Sequence, residues 1–410
     1  MTVDTQQEQA RGGCPIDHTA FSKQKTATRA PQATPAIERV NKGTWHVRGY
    51  AEGRAVLRHA DTRQAGFRAE LLDKMPQTME RPILYQEGPK HHEQRRQTAR
   101  FFTPRFTSEN YRALMENLSD QVIARLHSQG QADLSMLSLA LAVNVAARVI
   151  GLTNSVMPGM ARRIDAFFTE SKPTRPRSPG AVLHFLRSQR RMMAFFLLDV
   201  RPAIAARRRE PREDLISHLI SRGYSDMNIL TECITYGAAG MVTTREFISV
   251  AAWHFLEQPR LRQQFLAANE AERQNMLQEI LRIEPVIGQV LRRATADLLI
   301  ESEHGVVTIP AGDLVIVDVY DTNSDPALVG AEPQAICPAR KLSDPKAGPA
   351  VLSFGDGHHR CPGAYVALQE SDIFLSRLLA IDSLRIVRSP TMAHNSVARG
   401  YELRDFVVAV

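Results

Sequence analysis

Apolar positions recur at helical spacing over most of the first two thirds of the chain. The pattern predicts helices over 108–128, 133–150, 181–206, 212–221, 225–256 and 270–283. Pro259 and Pro285 stand just beyond the last two and act as stops. Residues 45–60, beginning WHVRGYAEGRAVL, alternate enough to suggest a short hairpin. The period changes after Pro285. Residues 296–300, 306–309 and 314–319 read as short strands, with PAGD at 310–313 as a turn. Residues 321–350 carry Pro and Gly with little periodicity and read as an ordered meander or a long loop. One more helix follows Cys361, and strands close the chain. Many helices with a small late β portion predict one mainly helical α+β domain over 36–410. Residues 1–35 are polar, contain Pro31 and Pro35, and are expected to form a flexible arm.

Composition narrows the function classes. The 410 residues are 43% apolar and 23% charged, which excludes bulk disorder and fibrous repeats. The net charge of +7 is concentrated in 161–212, where thirteen Lys/Arg face four acids. Without aromatic interleaving or a nucleic-acid motif, that run reads as solvated helix faces. Four cysteines, at 14, 233, 337 and 361, form no C-x-x-C pair and are too sparse for a disulfide scaffold. The N-terminus lacks an apolar secretory core. The longest uncharged apolar stretches, 134–147 and 233–244, fall short of the roughly 20 residues of a membrane span. A cytoplasmic protein with no nucleic-acid or membrane partner is expected.

The chemistry concentrates in SFGDGHHRCPGAYVALQE, residues 353–370. Gly355, Gly357 and Gly363 surround Cys361, and closely spaced glycines let the backbone bend tightly and approach a flat ligand. A thiolate at the start of a helix is favoured by the helix's positive end. One cysteine cannot build a four-ligand zinc site, but it can be the single axial ligand of a haem iron. A buried cysteine in a Gly-rich turn is the other reading of these residues alone.

The run Phe354-x-x-Gly357-x-His359-x-Cys361-x-Gly363, continuing through Ala367 and Glu370, resembles the haem-binding signature of the cytochrome P450 family. By that resemblance Cys361 is the proximal thiolate and His359 meets a haem propionate, while Pro362 replaces the usual Leu. Other segments match in the family's order. Glu279-Ile-Leu-Arg282 resembles its E-x-x-R, with Arg340 as the third charge. Arg292, in Arg292-x-Ala294-Thr295, and the pair His91-x-x-x-Arg95 ahead of Phe102-Thr103-Pro104-Arg105 resemble its propionate-binding segments. An i,i+4 His/Arg pair shares one helix face and suits two donors reaching carboxylates.

In the long helix, Ala239, Gly240, Met241, Val242 and Thr243 align with the family's A-G-x-acid-Thr. The glycines let something bulky lie against the backbone. Thr243 can bond the Ala239 carbonyl and open the helix locally. The resemblance gives Thr243 a part in proton delivery, but Val242 stands where the family places an acid. Glu246, one turn on, and Arg245 do not fit the pattern. Three readings follow: protons from water or substrate, an unusual oxidation such as radical coupling of an aromatic substrate, or use of peroxide.

The resemblance spans about residues 45–405. It implies a single prism-like helical domain with small sheets and haem b between the long helix and the Cys361 loop. It further implies O2 activation with electrons from NAD(P)H through ferredoxin and ferredoxin reductase. Segments 65–88, 165–190, 236–244, 286–291 and 394–398 are expected to line the pocket. Their apolar members, Phe168, Met241, Val286, Ile287 and Val290, suggest a mid-sized apolar or aromatic substrate of bacterial secondary metabolism. Hydroxylation, and C–C or C–N coupling of, for instance, an aromatic cyclic dipeptide, are both open. A non-catalytic haem sensor or carrier is the contrasting class.

Overall fold

The computed structural model describes residues 24–26, 35–67, 69, 80–165 and 179–410. Most of the expected arm, Phe168 and parts of two pocket segments lie outside these residues. The described part of the arm is held in place: the Lys25 and Thr26 amides donate to the Glu284 carboxylate at 2.6 and 3.0 Å.

The long helix, Asp226–Glu257, starts where Ser225 accepts a hydrogen bond from the Asn228 amide. That contact satisfies one of the otherwise unpaired first-turn donors. Its second half is buried nearly all round, from Thr244 to Ala252. It packs on Leu134–Ile150, which is capped by Asp133, and on Ala364–Leu379. Glu270–Ile283 opens with a reciprocal capping box between Asn269 and Glu272. These helices enclose the main apolar core, which includes Leu141, Ile248, Phe255, Ile280 and Phe374.

A five-stranded sheet lies to one side, in the order Ile37–Asn41, Thr44–Val47, Leu314–Asp318, Gln289–Ala294 and Thr62–Gln64. The expected hairpin over 45–60 does not form. Thr44–Val47 pairs with Ile37–Asn41 and, in parallel, with Leu314–Asp318, while Tyr50–Arg58 is a helix. That helix buries Val56 and Leu57 among the sheet's apolar side chains, so tertiary packing overrides a short alternation. The helix expected over 181–206 is divided. Pro179–Phe195 and Arg201–Arg209 flank a turn of π-helix at Phe196–Val200, where buried Asp199 takes two bonds of 2.7 Å from Arg163. The meander contains two short helices, Val319–Asn323 and Pro326–Val329. The other predicted helices and late strands form within a few residues of their expected ends. The fold is thus mainly helical with small sheets, as expected.

Candidate functional site

Two glycines shape the loop before Cys361. Gly355 and Gly357 have φ of +66° and +67°, a left-handed backbone that costs a residue with a Cβ. At Gly357 a Cβ would also stand 2.5 Å from the Leu57 carbonyl oxygen. The loop closes when the Cys361 amide donates to the Phe354 carbonyl at 2.8 Å. Phe354 packs against the main core and anchors the loop's start. Gly363 caps the helix Ala364–Leu379, and a Cβ there would project into open space.

The Cys361 thiol is exposed, yet protein atoms ring it closely enough to desolvate it. Desolvation raises its pKa. The Gly363 amide, Arg95 and Arg360 act in the opposite direction.

Four expected cofactor-binding side chains converge from three distant segments. His91 and Arg95 lie on the helix Gly88–Thr98, Arg292 on the strand Gln289–Ala294, and His359 in the cysteine loop. The His91 ring lies 4.4 Å from that of His359. Arg95 donates to the Arg360 carbonyl, which fastens the helix to the loop. Arg292 is buried, donates to Gln64, and leaves Nε without a partner. Its pKa is lowered to about 10 by burial. His91 is also buried, and its Nδ1 has no partner. Burial, then His359 and Arg95, lowers its pKa to about 3. The sequence reading missed Glu87. Its carboxylate accepts from His358 and His359 at 3.1 and 3.0 Å, and from the Gln64 amide at 2.8 Å. A lone Glu ahead of Gly-Pro carries no signal for that role.

On the long helix, the Thr243 hydroxyl donates to the Ala239 carbonyl, as expected. Ala239 is exposed and Thr243 half-buried. Gly240 serves helix packing: a Cβ there would meet the Ala146 methyl at 3.4 Å. Val242 is buried. Met241 and Val286, expected in the pocket, are core residues. Glu246 is engaged elsewhere, accepting from Arg245, Arg404 and the Leu403 amide at 2.7–2.8 Å. It is a structural ion cluster and does not substitute for an acid at 242.

The Glu279 carboxylate accepts from Arg282 at 2.7 and 2.8 Å, from Arg340 at 2.9 Å and from the Cys337 amide at 2.9 Å. The three charges expected from the sequence therefore meet.

The cytochrome P450 family model matches residues 273–386. The chain is 28% identical over 368 residues to the biotin biosynthesis cytochrome P450 of Bacillus subtilis, covering 84% of this chain and 86% of that one. It is 26% identical to the mycinamicin IV hydroxylase/epoxidase of Micromonospora griseorubida, covering 85% of each. Its fold matches P450BioI, solved in complex with a hexadec-9Z-enoic acid-ligated acyl carrier protein. There the TM-score is 0.70 at 24% identity, over 89% of this chain and 92% of that one. Among the described residues no helix is long and apolar enough to cross a membrane.

Proposed function

We propose that this chain is a cytochrome P450 monooxygenase in which Cys361 ligates the iron of haem b while His91, Arg95, Arg292 and His359 hold its carboxylates. The observation that carries this reading is the convergence of those four donors beside an accessible cysteine. Two of them are buried and keep unpartnered nitrogens, His91 Nδ1 and Arg292 Nε. Buried donors without partners are costly, so a bound carboxylate is the natural completion. The open space at Gly363 and the exposed Ala239 fit a flat ligand between the loop and the long helix. When bound, the haem supplies O2 activation, and thiolate donation favours O–O cleavage.

The chain's own residues hold the substrate and move protons. Thr243 keeps its proton on the Ala239 carbonyl and can exchange that bond for one to water. Val242 has no exchangeable proton, and Glu246 is saturated, so protons reach Thr243 from water or from the substrate. The substrate is a mid-sized apolar or aromatic small molecule of bacterial secondary metabolism. Relatives named for biotin biosynthesis and for mycinamicin oxidation support a small-molecule substrate of this kind.

Electrons come from NAD(P)H through ferredoxin reductase and ferredoxin. Arg100, Arg105 and Arg360 are exposed and suit an acidic partner.

The deciding experiment is the ferrous–CO difference spectrum of the purified protein. A strongly red-shifted Soret band is expected, and Cys361→Ser should abolish it. A band at the shorter wavelength of neutral thiol or imidazole ligation would displace Cys361 from this role. A protein that takes up no haem would overturn the whole reading.

A further inference from the structure

Glu87 and His358 take no part in the haem reading above, yet they form the centre of a histidine cluster. Glu87 occupies the N-cap position of Gly88–Thr98 without capping it. Its carboxylate instead spans the gap to the cysteine loop, 271 residues further on, and accepts from His358 Nε2 at 3.1 Å and His359 Nε2 at 3.0 Å. One ligand atom from each of the three residues lies within 4.8 Å of the other two. His91 stands 4.4 Å from His359, ring centre to ring centre, with its buried Nδ1 unpartnered. His92 stands 6.0 Å from His358 on the outer side. The paired histidines of two remote segments therefore face each other, and Glu87 binds the pair on the cysteine loop.

The spacing suits an ion. Zinc–nitrogen and zinc–oxygen bonds of about 2.0–2.2 Å place the ligands of a tetrahedral centre roughly 3.3–3.5 Å apart. The two Glu87–imidazole separations are already close to such edges, so a small side-chain rotation would admit an ion in place of the two bridging protons. Two imidazoles with one carboxylate select zinc, copper or nickel over magnesium or calcium, which prefer all-oxygen shells. Half-burial keeps the cluster open to solvent on one side, leaving room for water as a further ligand.

We propose that Glu87, His358 and His359 form a binding site for a divalent transition-metal ion at the edge of the haem pocket. An imidazole has two ring nitrogens. His359 would meet the ion through Nε2, which leaves Nδ1 as the nitrogen available to a haem carboxylate. The site joins the helix Gly88–Thr98 to the cysteine loop, and an occupied site would tie together two segments that hold the haem. The proposal shares only His359 with the haem reading.

The test uses the haem-loaded enzyme, titrated with Zn2+ by calorimetry and with Cu2+ by electron paramagnetic resonance. One equivalent is expected, with copper hyperfine structure from two imidazole nitrogens and protons released on binding. Glu87→Gln and His358→Ala should each weaken binding at least tenfold, compared at matched haem content, whereas His304→Ala should not. Substoichiometric binding, or unchanged affinity in both variants, would overturn the site. Binding confined to haem-free protein would also overturn it, because the cluster would then be only a seat for the haem carboxylates. The CO spectrum of the same samples tests the haem reading separately, so the two failures are distinguishable.

Discussion

Val242 is the residue at which this chain departs from the cytochrome P450 pattern it resembles, and its surroundings sharpen the departure. The side chain is buried, and the nearest acid along the helix, Glu246, is spent on Arg245, Arg404 and a strand amide. An Asp at 242 would be a buried carboxylate without a built-in partner, at a cost of about 1–3 kcal/mol. Val242→Asp is therefore expected to lower the melting temperature, while adding a proton donor one residue from Thr243. Peroxide released per NAD(P)H consumed should fall and the hydroxylated fraction should rise. If product pattern, peroxide yield and turnover all stay the same, position 242 does not control proton supply.

At this scale the sequence was legible wherever a residue's placement follows from spacing along the chain. Cys361, Gly357 and the i,i+4 pair His91/Arg95 are of that kind, and so is the Thr243-to-Ala239 bond within one helix. Met241 was expected in the pocket and lies in the core because a helix has several faces. Periodicity does not say which face meets the pocket and which meets the Leu134–Ile150 helix. Glu87 was illegible because its partners lie more than 270 residues away.

At the scale of elements, charged side chains join pieces that apolar packing alone would leave loosely registered. Glu279 binds two arginines and the Cys337 amide, while Arg282 also donates to the carbonyls of Asn323 and Pro333. Arg340 donates to those of Val329 and Ala335. One carboxylate thus fixes the helix Glu270–Ile283 against the whole 323–340 meander, which explains how a segment with so little periodicity is ordered. Glu279→Ala leaves two guanidinium groups beside each other without their shared anion. A loss of roughly 3–5 kcal/mol is expected in urea unfolding, together with poor haem retention. A loss below about 1 kcal/mol would show that the backbone carbonyls alone suffice.

Glu232 works the opposite way. It joins the long helix to Ile83 and Gln94, with bonds of 3.0 and 2.9 Å to one oxygen, and its other oxygen has no partner. Burial raises its pKa to about 7. A raised carboxyl pKa means the folded protein binds the proton more tightly than the unfolded chain does. Stability is then lost as pH rises from about 4.5 through 7. Glu370, raised to about 8 by burial, adds a loss of the same sign. Glu232→Gln should therefore gain on the wild type as pH rises from 5 to 8, by roughly 3 kcal/mol at most. Parallel stability profiles for the two proteins would place the ionisation elsewhere.

For the whole molecule, the fold class followed from the shift from helical to strand period after Pro285. The pairing of Thr44–Val47 with Leu314–Asp318 did not, because a parallel pair 270 residues apart has no local signal. What the whole molecule adds is a set of exposed cations drawn from more than one segment. Arg100 and Arg105 come from the end of one helix and the start of the next, and Arg360 from the residue before Cys361. All three are exposed. Their strengths differ. Arg105 already shares its charge with Glu109 at 2.8 Å, whereas the Arg100 guanidinium lies over Phe101 at 4.7 Å and remains cationic toward solvent. An acidic electron donor would be steered by Arg100 and Arg360 more than by Arg105. Reduction by ferredoxin should therefore slow by roughly tenfold or more in Arg100→Glu and Arg360→Glu, and less in Arg105→Glu. The wild-type rate should fall with added salt, since exposed charges are screened beyond about 8–10 Å at physiological ionic strength. Stopped-flow reduction under CO measures these rates, and dithionite gives the control for an intact haem site. Equal ferredoxin rates in wild type and all three variants would move the docking face away from the cysteine loop. A dithionite defect confined to Arg360→Glu would instead mean that this residue acts on the loop it adjoins, leaving Arg100 to decide the question.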